Sequence, residues 1–158
     1  MVTLLLKQYE LVRSSREVVL GFIETEVGED LNTPVPAFEG KTIRYLLVHT
    51  ANTYLHWLGY FALKHQINFH DDATLTTIGQ IMPVYVQADR ITTDFLHRFA
   101  GRIEERISST LPRDRHATAS PLELFTHVIT HEFHHKGQIM TMCRLLGYTP
   151  PDTDVIRF

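Results

Sequence analysis

An all-α fold of four long helices is what this sequence predicts, and three observations carry the prediction. Apolar residues recur at helical spacing over four long stretches. The breaks between them are mostly rich in Pro, Gly, Asn, Asp or Thr. The stretch Thr126 to Met142 gathers four of the chain's ten histidines into one helical segment. At 158 residues the chain is long enough to bury a core without covalent staples, and we expect one domain over residues 1–158.

The first helix reads from about Thr3 to Glu26, where Leu5, Leu6, Tyr9, Val12, Val19, Leu20 and Ile23 alternate with charged residues and no proline intervenes. Gly28, Asn32, Pro34 and Pro36 end it, and Phe38 to Lys41 reads as the connection to the next element. Thr42 can cap the second helix, which runs to about Lys64 on Ile43, Leu46, Leu47, Tyr54, Trp57, Leu58 and Phe61. Its apolar residues wrap almost all the way round, so periodicity leaves open which of His49, His56 and His65 faces inward.

Ile67 to Thr77 reads as a loop. Proline is tolerated in a first turn but kinks a helix interior, so Pro83 places the regular start of the third helix near Met82. That helix is expected to reach about Ser108, with Val84, Ala88, Ile91, Phe95, Phe99, Ile103 and Ile107 inward and Arg102, Glu104, Glu105 and Arg106 solvated. Leu111 to Ala119 reads as the last loop. Ser120 as N-cap, Pro121 at the first helical position and Glu123 closing a capping box start the fourth helix, which Gly147 ends. The tail from Tyr148 is extended by Pro150 and Pro151, and its Val155, Ile156 and Phe158 are expected to pack back on the helices.

The chemistry concentrates in the fourth helix. At about 100° per residue His131 and His135 lie about 40° apart, on the face that carries Leu124, Val128, Gln138, Met142 and Leu146. Two imidazoles directed into an apolar interior need partners, and the i, i+4 spacing lets both donate lone pairs to one zinc-type ion. His127 and His134 sit at the edge of that face, as neighbours of the pair or surface groups. Gln138, one turn from His135, is placed to hold a ligand, contact substrate or sit as a satisfied buried amide. On helix 2, His49 and His56 are nearly aligned, and either can supply a third ligand.

The same residues spell H-E-x-x-H with Glu132, the zinc-protease motif in which the glutamate activates water. The extended motif fails, with Gly137 one place early and Thr141 where a third histidine belongs. The carboxylates downstream, Asp152 and Asp154, lie in a Pro-rich tail, so a peptidase is not expected. Glu132 falls about 100° from His131, where a surface or hydrogen-bonding role is expected of it.

A net charge of −3 offers no basic field for nucleic acid, and no apolar run approaches the roughly 20 residues that span a bilayer. The opening Met-Val-Thr-Leu-Leu-Leu-Lys-Gln lacks a basic lead, long apolar core and cleavage site. With the single cysteine, Cys143, this points to a reducing compartment, and the cytoplasm is expected. Cys143 reads as a small buried hydrophobe rather than a nucleophile.

Four long helices, a histidine in the second, and T-H-V-I-T-H-E-F-H-H-K-G-Q-I-M in the fourth together resemble the DinB/YfiT-like family of metal-dependent enzymes. The resemblance spans essentially the whole chain. It implies an up-down-down-up four-helix bundle, commonly dimeric, with one divalent metal such as zinc or nickel near its mouth. The implied ligands are His131 and His135 with His49 of Leu-Leu-Val-His-Thr-Ala-Asn, and His56 in reserve. Some members of the family transfer a low-molecular-weight thiol to a small-molecule substrate, and no role for Glu132 is implied.

Overall fold

The structure, a computed structural model, describes residues 2–111 and 115–157. Its four helices are α1 (Val2–Phe22), α2 (Ile43–Tyr54), α3 (Ile78–Arg98) and α4 (Pro121–Leu145). A wider π-helical turn, Ile23–Val27, extends α1, and a second, Leu55–Ala62, extends α2. Thr42 caps α2 by accepting from the Tyr45 amide at 3.0 Å, as its position in the sequence predicts.

Two expectations for the third helix are corrected. It begins at Ile78, not near Met82, because Thr77 and Gln80 form a reciprocal capping box that holds the first turn. Pro83 therefore stands just inside the helix, where it forgoes one backbone hydrogen bond. The helix also stops at Arg98, well short of Ser108, and the chain beyond forms an antiparallel hairpin of β1 (Ile107–Leu111) and β2 (Arg115–Ala119). The stretch expected to be a loop thus carries a strand, and the fold is mostly helical with a small two-stranded sheet rather than all-α. Phe99 and Ile103 are still buried, so the inward pattern outlasts the helix that it suggests.

The fourth helix starts as expected, with the Glu123 amide donating to Ser120 Oγ and the Ser120 amide to Glu123 Oε2. Gly147 ends it at φ 95°, a left-handed conformation that side chains disfavour. The Tyr148 amide bonds the Cys143 carbonyl and the Gly147 amide that of Arg144, the paired pattern of a glycine-terminated helix.

The tail packs back through the Tyr148 ring, partly buried against the core, and through polar contacts. Ser15 Oγ and Lys136 Nζ both donate to the Thr153 carbonyl, each at 2.6 Å. Val155 and Ile156 are exposed, contrary to expectation, and Phe158 lies outside the described residues.

One contiguous hydrophobic cluster joins all four helices, with Tyr9, Ile43, Leu47, Tyr54, Leu58, Phe95 and Phe125 almost fully buried in it. Fully burying a residue of this class is worth about 1.5–3 kcal/mol. α2 packs against both α3 and α4, so its histidines are carried to the side of the fourth helix.

Candidate metal centre

The packing of α2 against α4 brings together His49, His131 and His135, whose nearest ring nitrogens all lie within 4.8 Å of one another. Ring centroids stand 5.0 Å apart for His49 and His131, 4.9 Å for His49 and His135, and 4.3 Å for His131 and His135. All three rings are half-buried. The histidine pair therefore does not point into the apolar interior. α4 turns Phe125, Val128, Glu132, Ile139 and Cys143 to the core, and His131 and His135 occupy the edge of that buried face.

His56 is not brought into the group. Its ring stacks on Tyr60 at 5.8 Å and lies 5.8 Å from Phe69, on the wall of a neighbouring cavity. His127 packs 5.6 Å from His131 and 5.4 Å from Trp57, beside the cluster, and His134 is exposed. Tyr45, one turn before His49, stacks nearly parallel on its ring at 5.9 Å.

Burial keeps the three imidazoles neutral. It lowers the His49 pKa, with Lys41 adding to the effect. His131 is pushed down to about 4, first by burial and then by His135, His49, His127 and His134. His135 is lowered by burial, with its Gln138 hydrogen bond opposing. Neutral imidazole is the form that binds a metal ion.

The nitrogens fit such an ion. Two ligands of a tetrahedral zinc, each about 2.0–2.1 Å from the ion, stand about 3.3 Å apart, and His131 Nε2 lies 3.2 Å from His135 Nε2. Gln138 Oε1, an acceptor only, lies 2.6 Å from His135 Nδ1, which must then carry the ring proton and leave Nε2 with its lone pair toward the cluster. His131 Nδ1 is buried without a hydrogen-bond partner, so the working nitrogen of that ring is Nε2. Gln138 thus contacts the His135 ring and also lines a cavity beside it.

Glu132 is buried rather than at the surface, and its role is hydrogen bonding. Arg16 of α1 donates from Nε to Oε1 at 2.8 Å and from Nη2 to Oε2 at 3.0 Å, and Tyr54 of α2 donates to Oε2. Arg16 Nη1 reaches Asp89 of α3 at 2.6 Å, and Asp89 also accepts from Tyr9. A carboxylate engaged in this way faces the core and is poorly placed to activate water. Periodicity does not reveal this cluster, although Arg16 stands in register with Tyr9, Val12, Val19 and Leu20 on α1, and a charge on an apolar stripe signals a buried partner.

Two cavities adjoin the three histidines. One, of about 370 Å³, is lined by His49, His56, Trp57, Phe69, His127 and His131 among others. The other, of about 310 Å³, is lined by Lys41, Tyr45, His49, His135 and Gln138 among others. Cys143 lines neither; it is fully buried and its thiol is pushed up to about 11 by burial. No helix among the described residues is long and apolar enough to cross a membrane.

No curated protein matches the chain. A family model does, over residues 1–158, and with a helical fold and a three-histidine cluster of this kind the chain belongs to the DinB family.

Proposed function

We propose that this protein is a metal-dependent enzyme in which His49, His131 and His135 hold one divalent ion, zinc or nickel, and that it transfers a low-molecular-weight thiol to a small electrophile. The observation that carries the proposal is the convergence of three neutral imidazoles, with no carboxylate or thiol completing the group among the described residues, in the walls of two cavities. When bound, the ion supplies Lewis acidity that favours the thiolate form of an incoming thiol.

The chain's own residues set the arrangement. Gln138 keeps the proton of His135 on Nδ1, and Tyr45 backs the His49 ring. Cys143 is withdrawn from the site and held as the thiol, so the reacting sulfur comes from a cosubstrate. The sulfur forms a bond to the electrophilic carbon, the leaving group departs with its electron pair, and the thiol proton passes to solvent. The reading includes an up-down-down-up arrangement and a homodimer, as the family resemblance implies, and a cytoplasmic site of action, as the single cysteine suggests.

A second reading has an observation of its own. His49 and the α4 pair lie on different helices, so an ion held by all three would tie α2 to α4 without catalysis. Bacillithiol, glutathione, coenzyme A and cysteine, each offered with monochlorobimane to zinc- and nickel-loaded protein, separate the two. Turnover is expected in wild type and Cys143→Ser and lost in His135→Ala. Activity lost in Cys143→Ser but kept in His135→Ala reverses the assignment. A loaded protein stabilised by its ion but inactive with every thiol leaves the binding module.

A further inference from the structure

The cavity beside His131 has walls that describe a ligand. Among the described residues its lining contains no Lys, Arg, Asp or Glu. Its polar side chains are largely committed elsewhere: Asn52 donates to the His70 carbonyl at 2.8 Å and accepts from the His70 amide at 3.0 Å, while Thr53 Oγ1 donates to the His49 carbonyl at 2.9 Å. What the walls offer a ligand is ring surface. Trp57 and His127 meet edge to face at 5.4 Å, and His56 lies 4.9 Å from Trp57.

Phe69 adds a further ring to the lining. It is 49 % exposed, an unusual position for so large an apolar ring, and the Asn52–His70 bonds beside it fix that loop against α2. At about 370 Å³ the space suits a single small ring system, within the range of about 300–1,000 Å³ typical of small-molecule sites.

We propose that this cavity is the electrophile subsite and that it selects planar, uncharged aromatic compounds, held by stacking against Trp57, Phe69 and His127 next to His131. The catalytic meaning of the subsite rests on the thiol-transfer reading, but its binding does not. The second cavity that adjoins the histidines, with Lys41, Tyr45 and Gln138 in its lining, is left for the polar thiol.

Trp57 is the only tryptophan in the chain, so intrinsic fluorescence reports directly on this cavity. The experiment titrates the full-length protein with nitrobenzene, which lacks a thiol-displaceable group, and with nitrocyclohexane and 4-nitrobenzoate as non-aromatic and charged comparators. Saturable quenching by nitrobenzene is expected, with binding weakened about fivefold in Phe69→Ala, the scale of one lost aromatic contact. Both comparators are expected to bind more weakly.

Linear, unsaturable quenching overturns the proposal. So does nitrobenzene affinity unchanged in Phe69→Ala, or equal affinity for either comparator. The two readings fail separately. Saturable aromatic binding with no thiol transfer removes the enzyme and keeps the subsite, whereas thiol transfer without saturable quenching removes the subsite alone.

Discussion

Arg16 on α1 and Glu132 on α4 form a two-point ion pair, at 2.8 and 3.0 Å, directly beside the residue that would bind metal, since Glu132 follows His131. Tyr54 of α2 and Asp89 of α3 complete the cluster, so all four helices meet at this one group of buried charges.

Removing the carboxylate leaves a buried guanidinium with only Asp89 as its acidic partner. Glu132→Ala is therefore expected to cost about 3–5 kcal/mol in urea unfolding, the usual scale for breaking a buried pair. Glu132→Gln, which still accepts from Tyr54, should cost less. It should also retain the metal, as a residue outside the ligand set. A loss below about 1 kcal/mol for Glu132→Ala would mean that the pair does not hold the helices together.

Metal content is expected to follow the geometry of the cluster. His49→Ala, His131→Ala and His135→Ala should each lose the ion on dialysis against a weak chelator, while His56→Ala keeps it. Elemental analysis of tag-free protein decides this. An empty site in His56→Ala with a full one in His49→Ala would transfer the third ligand to the wrong side of Thr53.

The stability of the metal-free protein is expected to fall as the pH drops from 6.5 to about 4. His131 is held well below its ordinary value, so in that interval the unfolded chain takes up a proton that the folded chain refuses. The contribution is fully present above 6.5 and is lost progressively as the pH falls toward the folded value. His49 and His135, lowered by the same burial, act in the same direction. Thermal unfolding with chelator present should show this slope in wild type and a flatter one in His131→Gln. Identical profiles would contradict it.

The limits of the sequence reading have physical causes. His131 and His135 are legible because regular α-helix holds i and i+4 side by side, and α4 is regular from Pro121 to Leu145. His49 and His56 are not separable by the same projection. The π-helical turn from Leu55 to Ala62 changes the angle per residue, and His56 swings toward Tyr60 and Phe69 instead of aligning with His49.

Which of the two roles open to Glu132 it takes, at the surface or in hydrogen bonding, is not legible for a different reason. A projection of one helix cannot show that Arg16 waits on another. The hairpin is missed because Phe99, Ile103 and Ile107 continue the helical spacing of α3, although the β-branched Ile107, Thr110 and Thr118 favour extended backbone. Caps are legible where no other signal competes, whereas the Thr77–Gln80 box is overlooked because Pro83 suggests a later start. Thr42, Ser120 and Gly147 each act through their own local chemistry, which no distant partner overrides.

Gln138 gives the sharpest test of how the site is held. Its Oε1 can only accept, so the 2.6 Å contact assigns the His135 proton to Nδ1 and directs the Nε2 lone pair toward His131 and His49. In Gln138→Ala that preference is lost, and the ring is free to rotate or to carry its proton on the metal-facing nitrogen. Metal affinity, measured by competition with a chromophoric chelator, is expected to fall about 10–100-fold, the usual cost of removing a ligand's hydrogen-bond partner. Gln138→Glu keeps an acceptor at the same place and should retain most of the affinity. Nitrogen-15 spectra of the metal-free protein give an independent reading, with His135 mainly in the Nδ1-protonated form in wild type and mixed in Gln138→Ala. Unchanged affinity together with an unchanged tautomer in Gln138→Ala would show that packing alone orients His135.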